Sequence, residues 1–246
     1  MANEIRNNMK TAEGAELKDD LSNYDHSKYR KPSVTVDIII FSVFHGALRV
    51  LLIKRKHPPF RDYWAIPGGF VNIESAETLE EAARRELHEE TNLRGIFIEQ
   101  LKTYGDPKRD PRMRVITVAY YALVPYDKAK DMVRAGDDAA EAEWHAMDKL
   151  PRLAFDHAKI LNDAKERIRS KASYSSIVFN IMPKKFTWTE LQSVYEIVLG
   201  RPFLAPNFRR KIKARYFIRE SDTLDQNQDI GRPGRIITYG GEKDQL

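Results

Sequence analysis

The stretch from Gly68 to Leu93, GGFVNIESAETLEEAARRELHEETNL, constrains this chain more than any other part of it. A Gly-Gly pair opens it, a polar loop follows, and a run dense in carboxylates closes it. The run reads as a helix. Thr78 is its N-cap, and Glu81 three residues later completes a capping box, in which each residue satisfies the other's backbone N–H. Leu79, Ala82, Ala83 and Leu87, with Leu93 at a looser spacing, supply an apolar stripe at helical period. Glu86, Glu89 and Glu90 fall at i, i+3 and i+4, so they project from one face and repel one another. A divalent cation that prefers oxygen ligands, Mg²⁺ foremost, removes that repulsion. The competing reading is a solvated acidic face, the common place for Glu.

In these residues the chain resembles the Nudix hydrolases, whose signature is G-x5-E-x7-R-E-U-x-E-E-x-G-U with U aliphatic. The matching positions are Gly69, Glu77, Arg85-Glu86-Leu87, Glu89-Glu90 and Leu93. Seven residues rather than five separate Gly69 from Glu77, and Asn92 stands where a glycine is expected. Asn also tolerates the left-handed conformation of a helix end. The resemblance implies a catalytic set of Glu77, Arg85, Glu86, Glu89 and Glu90. Within it Glu86 and Glu90 would be metal ligands, with the Gly69 carbonyl close to the same metal. Arg85 would pair with Glu77 and hold the loop to the helix. The implied reaction is attack of water on a diphosphate, assisted by Mg²⁺ or Mn²⁺.

The chain has 246 residues, enough for two modest domains, and no cysteine, so disulfides and thiolate metal sites are excluded. No apolar run approaches the ~18 residues of a membrane span, and no signal-peptide pattern begins the chain. A bacterial-type cytoplasmic protein is the expectation. Charge is divided unevenly. His157 to Leu246 carries 17 Lys+Arg against 10 Asp+Glu, a net of +7, and the remainder 24 against 26, a net of −2. Such asymmetry points the basic half at a polyanion.

In chain order, residues 1–27 are polar and read as a disordered tail. A Nudix-like domain is expected over 28–154. VTVDIIIFSVF reads as a buried β-branched strand, His45-Gly46 as a hairpin turn, and LRVLLIKR as the returning strand. Strand signals recur in IFIEQLKTY and RVITVAYYALV. AEAEWHAMDKLP reads as a short strand and a helix start. Strands around one strong helix fit an α/β/α sandwich with a mixed sheet, the fold that the resemblance also implies. The loop RDPRMRV and the two-residue insertion after Gly69 resemble the ADP-ribose-directed branch of Nudix proteins. There Arg109 and Arg112 are candidate diphosphate or ribose contacts, since guanidinium matches phosphate geometry, or else they pair with Asp106 or Asp110. Gly68 and Gly69 would border the same ligand. Trp64 and Tyr63 would stack on an adenine or, as aromatics more often do, fill core. Asp137, Asp138, Glu141 and Glu143 are candidates for a base outside the motif.

From Phe155 the character changes. Residues 155–172 form a basic amphipathic helix read as a linker, with Ile160, Leu161, Ala164 and Ile168 on one side. SSIVFNIMP reads as short and extended. FTWTELQSVYEIVLG is a helix capped by Thr187 or Thr189 and ended by Gly200. NFRRKIKARY follows as a second helix, Phe208 and Ile212 inward. YFIRE and RIITY read as strands around a Gly-Arg-Pro tip. Helix, turn, basic helix and ribbon over 173–246 outline a winged helix. Asn207, Arg209, Arg210, Lys211 and Lys213 would face a major groove, with Arg232 and Arg235 at the ribbon tip. The competing reading is a basic dimerisation domain.

Joined to FDHAKIL, FTWTELQSVYE, NFRRK and GRPGR, the Nudix-like part resembles the Nudix-related transcriptional regulators of bacterial NAD metabolism. That resemblance implies a homodimer that binds operator DNA and is released by ADP-ribose. Two alternatives stand beside it: a plain Mg²⁺-dependent ADP-ribose pyrophosphatase, and a regulator that senses a sugar.

Overall fold

The computed structural model describes residues 25–91, 94–129, 141–224 and 234–243. Asn92, Leu93, Asp137, Asp138, Arg232 and all but the end of the expected tail lie outside the described residues. Met1–Pro32 and Ser33–Leu246 are separate units. A 3-10 turn, His26–Lys28, belongs to the first, and everything below concerns the second.

Strand β1 (Ser33–Phe44) is the axis of the larger sheet. Its Ile/Val run alternates between the two faces. Val36, Ile38 and Ile40 point into one buried cluster, while Ile39, Phe41 and Val43 point into another. Strand β2 (Ala47–Lys54) returns antiparallel, pairing Val50 with Phe41 and Ala47 with Phe44. Beyond that register β1 and β2 change partners. The end of β2 pairs with β3 (Trp64–Ala65), and the start of β1 pairs with β4 (Gly68–Phe70), Asp37 opposite Gly68. The glycine pair therefore lies where the two long strands part. After the helix α1 (Leu79–Thr91), β5 (Phe97–Tyr104) and β6 (Val115–Leu123) extend the sheet, β6 parallel to β1 along its length. A short helix α2 (Tyr126–Ala129) follows, and β7 (Ala142–Ala146) pairs with β2. The helix start expected after β7 is instead a turn, in which Lys149 N–H donates to Ala146 O at 2.9 Å.

α1 covers one face with Ala82, Ala83 and Leu87. The other face is covered by α3 (His157–Tyr174), whose Ile160, Leu161, Ala164 and Ile168 join Ile39, Phe41 and Leu52 in one cluster. The helix read as a linker is thus also a layer of the sandwich. The segment read as extended is a buried 3-10 helix, Ile177–Asn180. Its Ile177, Val178 and Phe179 tuck into the same cluster, which favours a compact turn over a strand with no partner.

The remainder is a winged helix. Strand β8 (Phe186–Thr187) leads into α4 (Trp188–Leu199), and Thr187 and Glu190 form a reciprocal capping box. Gly200 ends α4 in the left-handed region at φ 67°, where a side chain would be strained. α5 (Ala205–Arg215) begins with Pro206 in its first turn. Strands β9 (Tyr216–Leu224) and β10 (Arg235–Glu242) pair antiparallel, with β8 on the free edge of β10. Leu191, Val194, Val198, Phe208 and Ile212 lie in the cluster that holds α3, so a single core runs from the sheet into the winged helix.

Candidate ligand pocket and nucleic-acid face

The acidic helix is locally well specified. Thr78 N–H donates to Glu81 Oε2 at 2.7 Å and Glu81 N–H to Thr78 Oγ1 at 3.2 Å, the expected box. Arg85 then gathers the acids. It takes Glu77 with two nitrogens at 3.0 and 2.9 Å, Glu86 at 2.7 Å and Glu89 at 3.0 Å, and donates to Phe70 O at 3.2 Å. The guanidinium bond holds the Glu77 carboxyl below the usual range, and Arg85 itself is pushed up by Glu77 foremost. Glu86 is only 8% exposed, and burial raises its carboxyl despite the arginine. It lies directly on the glycine pair: a Cβ on Gly69 would meet Glu86 Oε1 at 2.2 Å, and one on Gly68 would meet Val36 O at 2.2 Å. At 68 the obstacle is main chain, so only glycine fits, while at 69 it is the carboxylate end of Glu86, which would have to swing away from Arg85. The side chains of Glu89 and Glu90 are respectively exposed and half-buried.

Among the described residues no three His, Cys, Asp or Glu side chains stand close enough together to cage a metal ion. The donor set nonetheless fits a hard cation of the Mg²⁺ class. Such ions keep their waters and bind through one or two carboxylates plus substrate phosphates. Glu86, Glu90 and the Gly69 main chain are all oxygen donors, and a cation beside Glu86 would favour the charged form that burial disfavours.

A cavity of about 190 Å³ opens beside the paired start of β1 and β4. Its lining includes the Gly68-Gly69 strand edge, Asp37, His157, Arg55, Arg109 and Arg112. The three arginines differ in what they already hold. Arg109 is 8% exposed and pairs with Asp156 (3.1 and 2.9 Å) and Asp37 (3.4 Å), not with Asp106. Arg112 is bidentate on Asp110 (3.1 and 2.8 Å), the ion-pair alternative considered from sequence. The Arg55 guanidinium donates to the carbonyls of Pro59 (3.0 Å) and His57 (3.5 Å) and has no ion-pair partner among the described residues. Its charge is the one left for a ligand. Arg55 and Arg112 both lie over the Phe155 ring, at 4.9 and 5.9 Å. His157 is buried, accepts from Ile66 N–H at 2.9 Å through Nδ1, and is held neutral by desolvation, so Nε2 carries the proton. Trp64 packs partly buried against the core with His145 at 4.5 Å and does not line this cavity, and Tyr63 has the Arg152 guanidinium over its ring and Phe60 edge-on to it. Glu141 pairs with Lys54 at 3.0 Å, and Glu143 lies 3.8 Å from His145.

On the winged helix, Asn207, Arg209, Arg210, Lys211 and Lys213 are all exposed on α5, with Phe208 and Ile212 inward. Arg209 and Lys213 flank the Trp188 ring at 5.7 and 5.5 Å, and Glu220 holds the Lys213 ammonium at 2.7 Å. Arg235 is exposed where β10 leaves the ribbon tip.

Two family matches coincide with these two regions: the NUDIX domain over residues 31–164 and the NrtR DNA-binding winged helix domain over residues 178–237. The chain belongs to the Nudix family, in its NrtR branch. An Acinetobacter baylyi protein, the "ADPR responsive transcriptional repressor NtrR", is 38% identical over 222 residues, 89% of this chain and 86% of the relative. The Methanocaldococcus jannaschii "ADP-ribose pyrophosphatase" is 45% identical over 142 residues, 56% of this chain and 78% of that protein. The crystal structure of Shewanella oneidensis NrtR with a 27mer DNA superposes with a TM-score of 0.73 at 32% identity, over 84% of this chain and 93% of that one. Nudix hydrolases generally use divalent metal ions, which agrees with the donors beside Gly69. In this NrtR-type chain the pocket residues that sequence reasoning missed include Asp37, Arg55, Phe155 and His157, with Asp156 behind Arg109. Only Arg55, in KRKHPPF just before the Gly-Gly turn, carried any local signal.

Proposed function

We propose that this chain is a DNA-binding transcriptional repressor whose Nudix domain binds ADP-ribose, and that ADP-ribose loosens its hold on the operator. One observation carries the reading: an anion-receptive pocket and a basic winged helix share one continuous core. The A. baylyi relative is named for a response to ADP-ribose, and the S. oneidensis NrtR was crystallised on DNA. In the pocket, Arg55 supplies an available cation for a diphosphate, with Arg109 and Arg112 beside it and the side-chain-free Gly68-Gly69 edge admitting close approach. On the DNA, Arg209, Arg210 and Lys211 would meet phosphates and base edges, with Asn207 and Lys213 flanking them and Arg232 and Arg235 at the ribbon tip. A homodimer on a palindromic site, in the cytoplasm, at genes of NAD metabolism completes the proposal. Among the described residues no helix is long and apolar enough to cross a membrane. The test is gel retardation of promoter fragments from upstream of NAD-synthesis genes. Retention at moderate salt and release by ADP-ribose are expected, and no retained fragment would end the reading.

A second reading, compatible with the first, is hydrolysis of ADP-ribose to AMP and ribose 5-phosphate. The undisturbed set Glu77, Arg85, Glu86, Glu89 and Glu90 favours it, as does the likeness to the M. jannaschii enzyme. A bound Mg²⁺ or Mn²⁺ would supply the water activation and charge neutralisation that this reaction needs. Glu86 and Glu90 would hold that ion, and Arg85 would keep Glu77 and the loop in place. Glu86→Gln should cut AMP release by roughly two or more orders of magnitude, since charge at the reacting phosphate is lost. A wild-type chain that frees no AMP with any divalent metal would leave a sensor alone.

A further inference from the structure

Helix α3 begins in the wall of the pocket and ends against the DNA-facing helix. Asp156 occupies its N-cap position, yet the side chain accepts no hydrogen bond from its own helix. Both carboxylate oxygens take Arg109 instead, at 3.1 and 2.9 Å. An N-cap aspartate ordinarily accepts through its side chain from an N–H two or three residues further on, but here Lys159 N–H turns to the Asp156 main-chain carbonyl at 3.0 Å and the carboxylate is given over to Arg109. Arg109 is shared as well with Asp37, so one buried cation serves two carboxylates. Phosphate oxygens entering the pocket compete for the same N–H groups, because guanidinium binds phosphate as readily as carboxylate.

The flanking residues make this junction responsive. Phe155 sits in the left-handed region at φ 51°, strained for a non-glycine residue, with Arg55 and Arg112 both over its ring. His157 ties the first residue of α3 to Ile66 N–H beside the glycine edge. At the far end, about 27 Å away for 18 residues, α3 meets the winged helix. Arg215, the last residue of α5, donates to Ser173 O at 2.9 Å and to Tyr174 O. Ser176 N–H donates to Glu242 on β10 at 3.2 Å. A rigid helix packed along its length carries displacement at one end to the other.

We propose that Asp156 is the switch that couples the pocket to DNA. A diphosphate ligand takes Arg109 from Asp156, the freed carboxylate turns to cap α3, and the shift of α3 draws α5 out of its DNA-competent position. The proposal rests on the pocket binding ADP-ribose and α5 binding DNA, as set out above. A ligand moves such an equilibrium only by binding the two states unequally, and here the inequality is Arg109. The same linkage runs backwards: removing the claim of Asp156 on Arg109 favours the ligand-bound arrangement.

The test uses the full chain with two variants. Asp156→Ser keeps a capping side chain but cannot pair with Arg109, and Asp156→Asn keeps the shape without the charge. ADP-ribose affinity is read by calorimetry, and DNA affinity by anisotropy of a labelled promoter fragment retained by the wild type. The variants should bind ADP-ribose about threefold or more tighter and DNA more weakly, with the ligand-induced change in DNA affinity falling below about a third of the wild-type value. Opposite signs matter, since simple damage to the fold weakens both. Unchanged or weaker ADP-ribose binding, or an undiminished DNA response, in whichever variant folds overturns the proposal. A wild-type chain that fails to bind ADP-ribose is seen before any variant is made and removes the functional reading, and the switch with it.

Discussion

Gly69 and Glu86 are two positions in one contact, since the carboxylate occupies the space a side chain at 69 would need. Gly69→Ala must therefore push Glu86 aside. It should lower both thermal stability and any AMP release, the former by about 1 kcal/mol, because what yields is the carboxylate end of Glu86 and its bond to Arg85. Thermal unfolding and a turnover assay check it, and a variant matching wild type in both would contradict the contact. Arg55 is the other decisive residue, because Arg109 and Arg112 are already neutralised by Asp156, Asp37 and Asp110. Loss of a charge-assisted bond to phosphate costs about 1.5–3 kcal/mol, so Arg55→Ala should weaken ADP-ribose binding by roughly 10- to 100-fold, measured by calorimetry.

Elements whose signals are local were legible in the sequence. The capping box of Thr78 with Glu81, the Gly200 stop and the β-branched run of β1 each depend on residues a few positions apart, whereas two threonines competed for the α4 cap and the structure takes Thr187, with Glu190. What was not legible depends on distance along the chain. Arg109 meets residues 47 and 72 positions away, and His157 finds its donor 91 positions back. No periodicity encodes such pairs. The segment Ile177–Asn180 was misread because an apolar run of that length suits a strand or a buried turn equally. Within the winged helix, Thr187→Ala should remove the α4 cap at a cost of about 1 kcal/mol, visible in thermal unfolding. Acid acts on the same elements. Gln192, foremost, and Phe203 N–H hold Glu196 below its ordinary range, and Lys213 does so for Glu220. A carboxyl depressed by folding stabilises above its unfolded value and loses that contribution as pH falls through its folded value. Unfolding temperatures should therefore hold from pH 7 to 5 and drop below roughly pH 4. Glu220→Gln should show a smaller drop, and an equal one would exclude this ion pair as a cause.

Over the whole molecule, charge and core divide the work. The acidic Nudix half carries a net −2 and the part beyond Asp156 a net +7, while one apolar cluster joins them through α3. Affinity for DNA should fall steeply with salt, because each phosphate contact releases a counterion. Removing Arg210 and Lys211 together should reduce the log–log slope by about 1–2 as well as weaken binding. On the proposed reading the arginine-lined pocket and the basic helix act as one device. The measurement is a titration of ADP-ribose into the full chain bound to a labelled promoter fragment, run for wild type and Arg55→Ala, with release followed by anisotropy. Release is expected in both, with the midpoint for Arg55→Ala displaced by the same factor as its calorimetric affinity. Release at one concentration in both proteins, or none at saturating ADP-ribose, would contradict it.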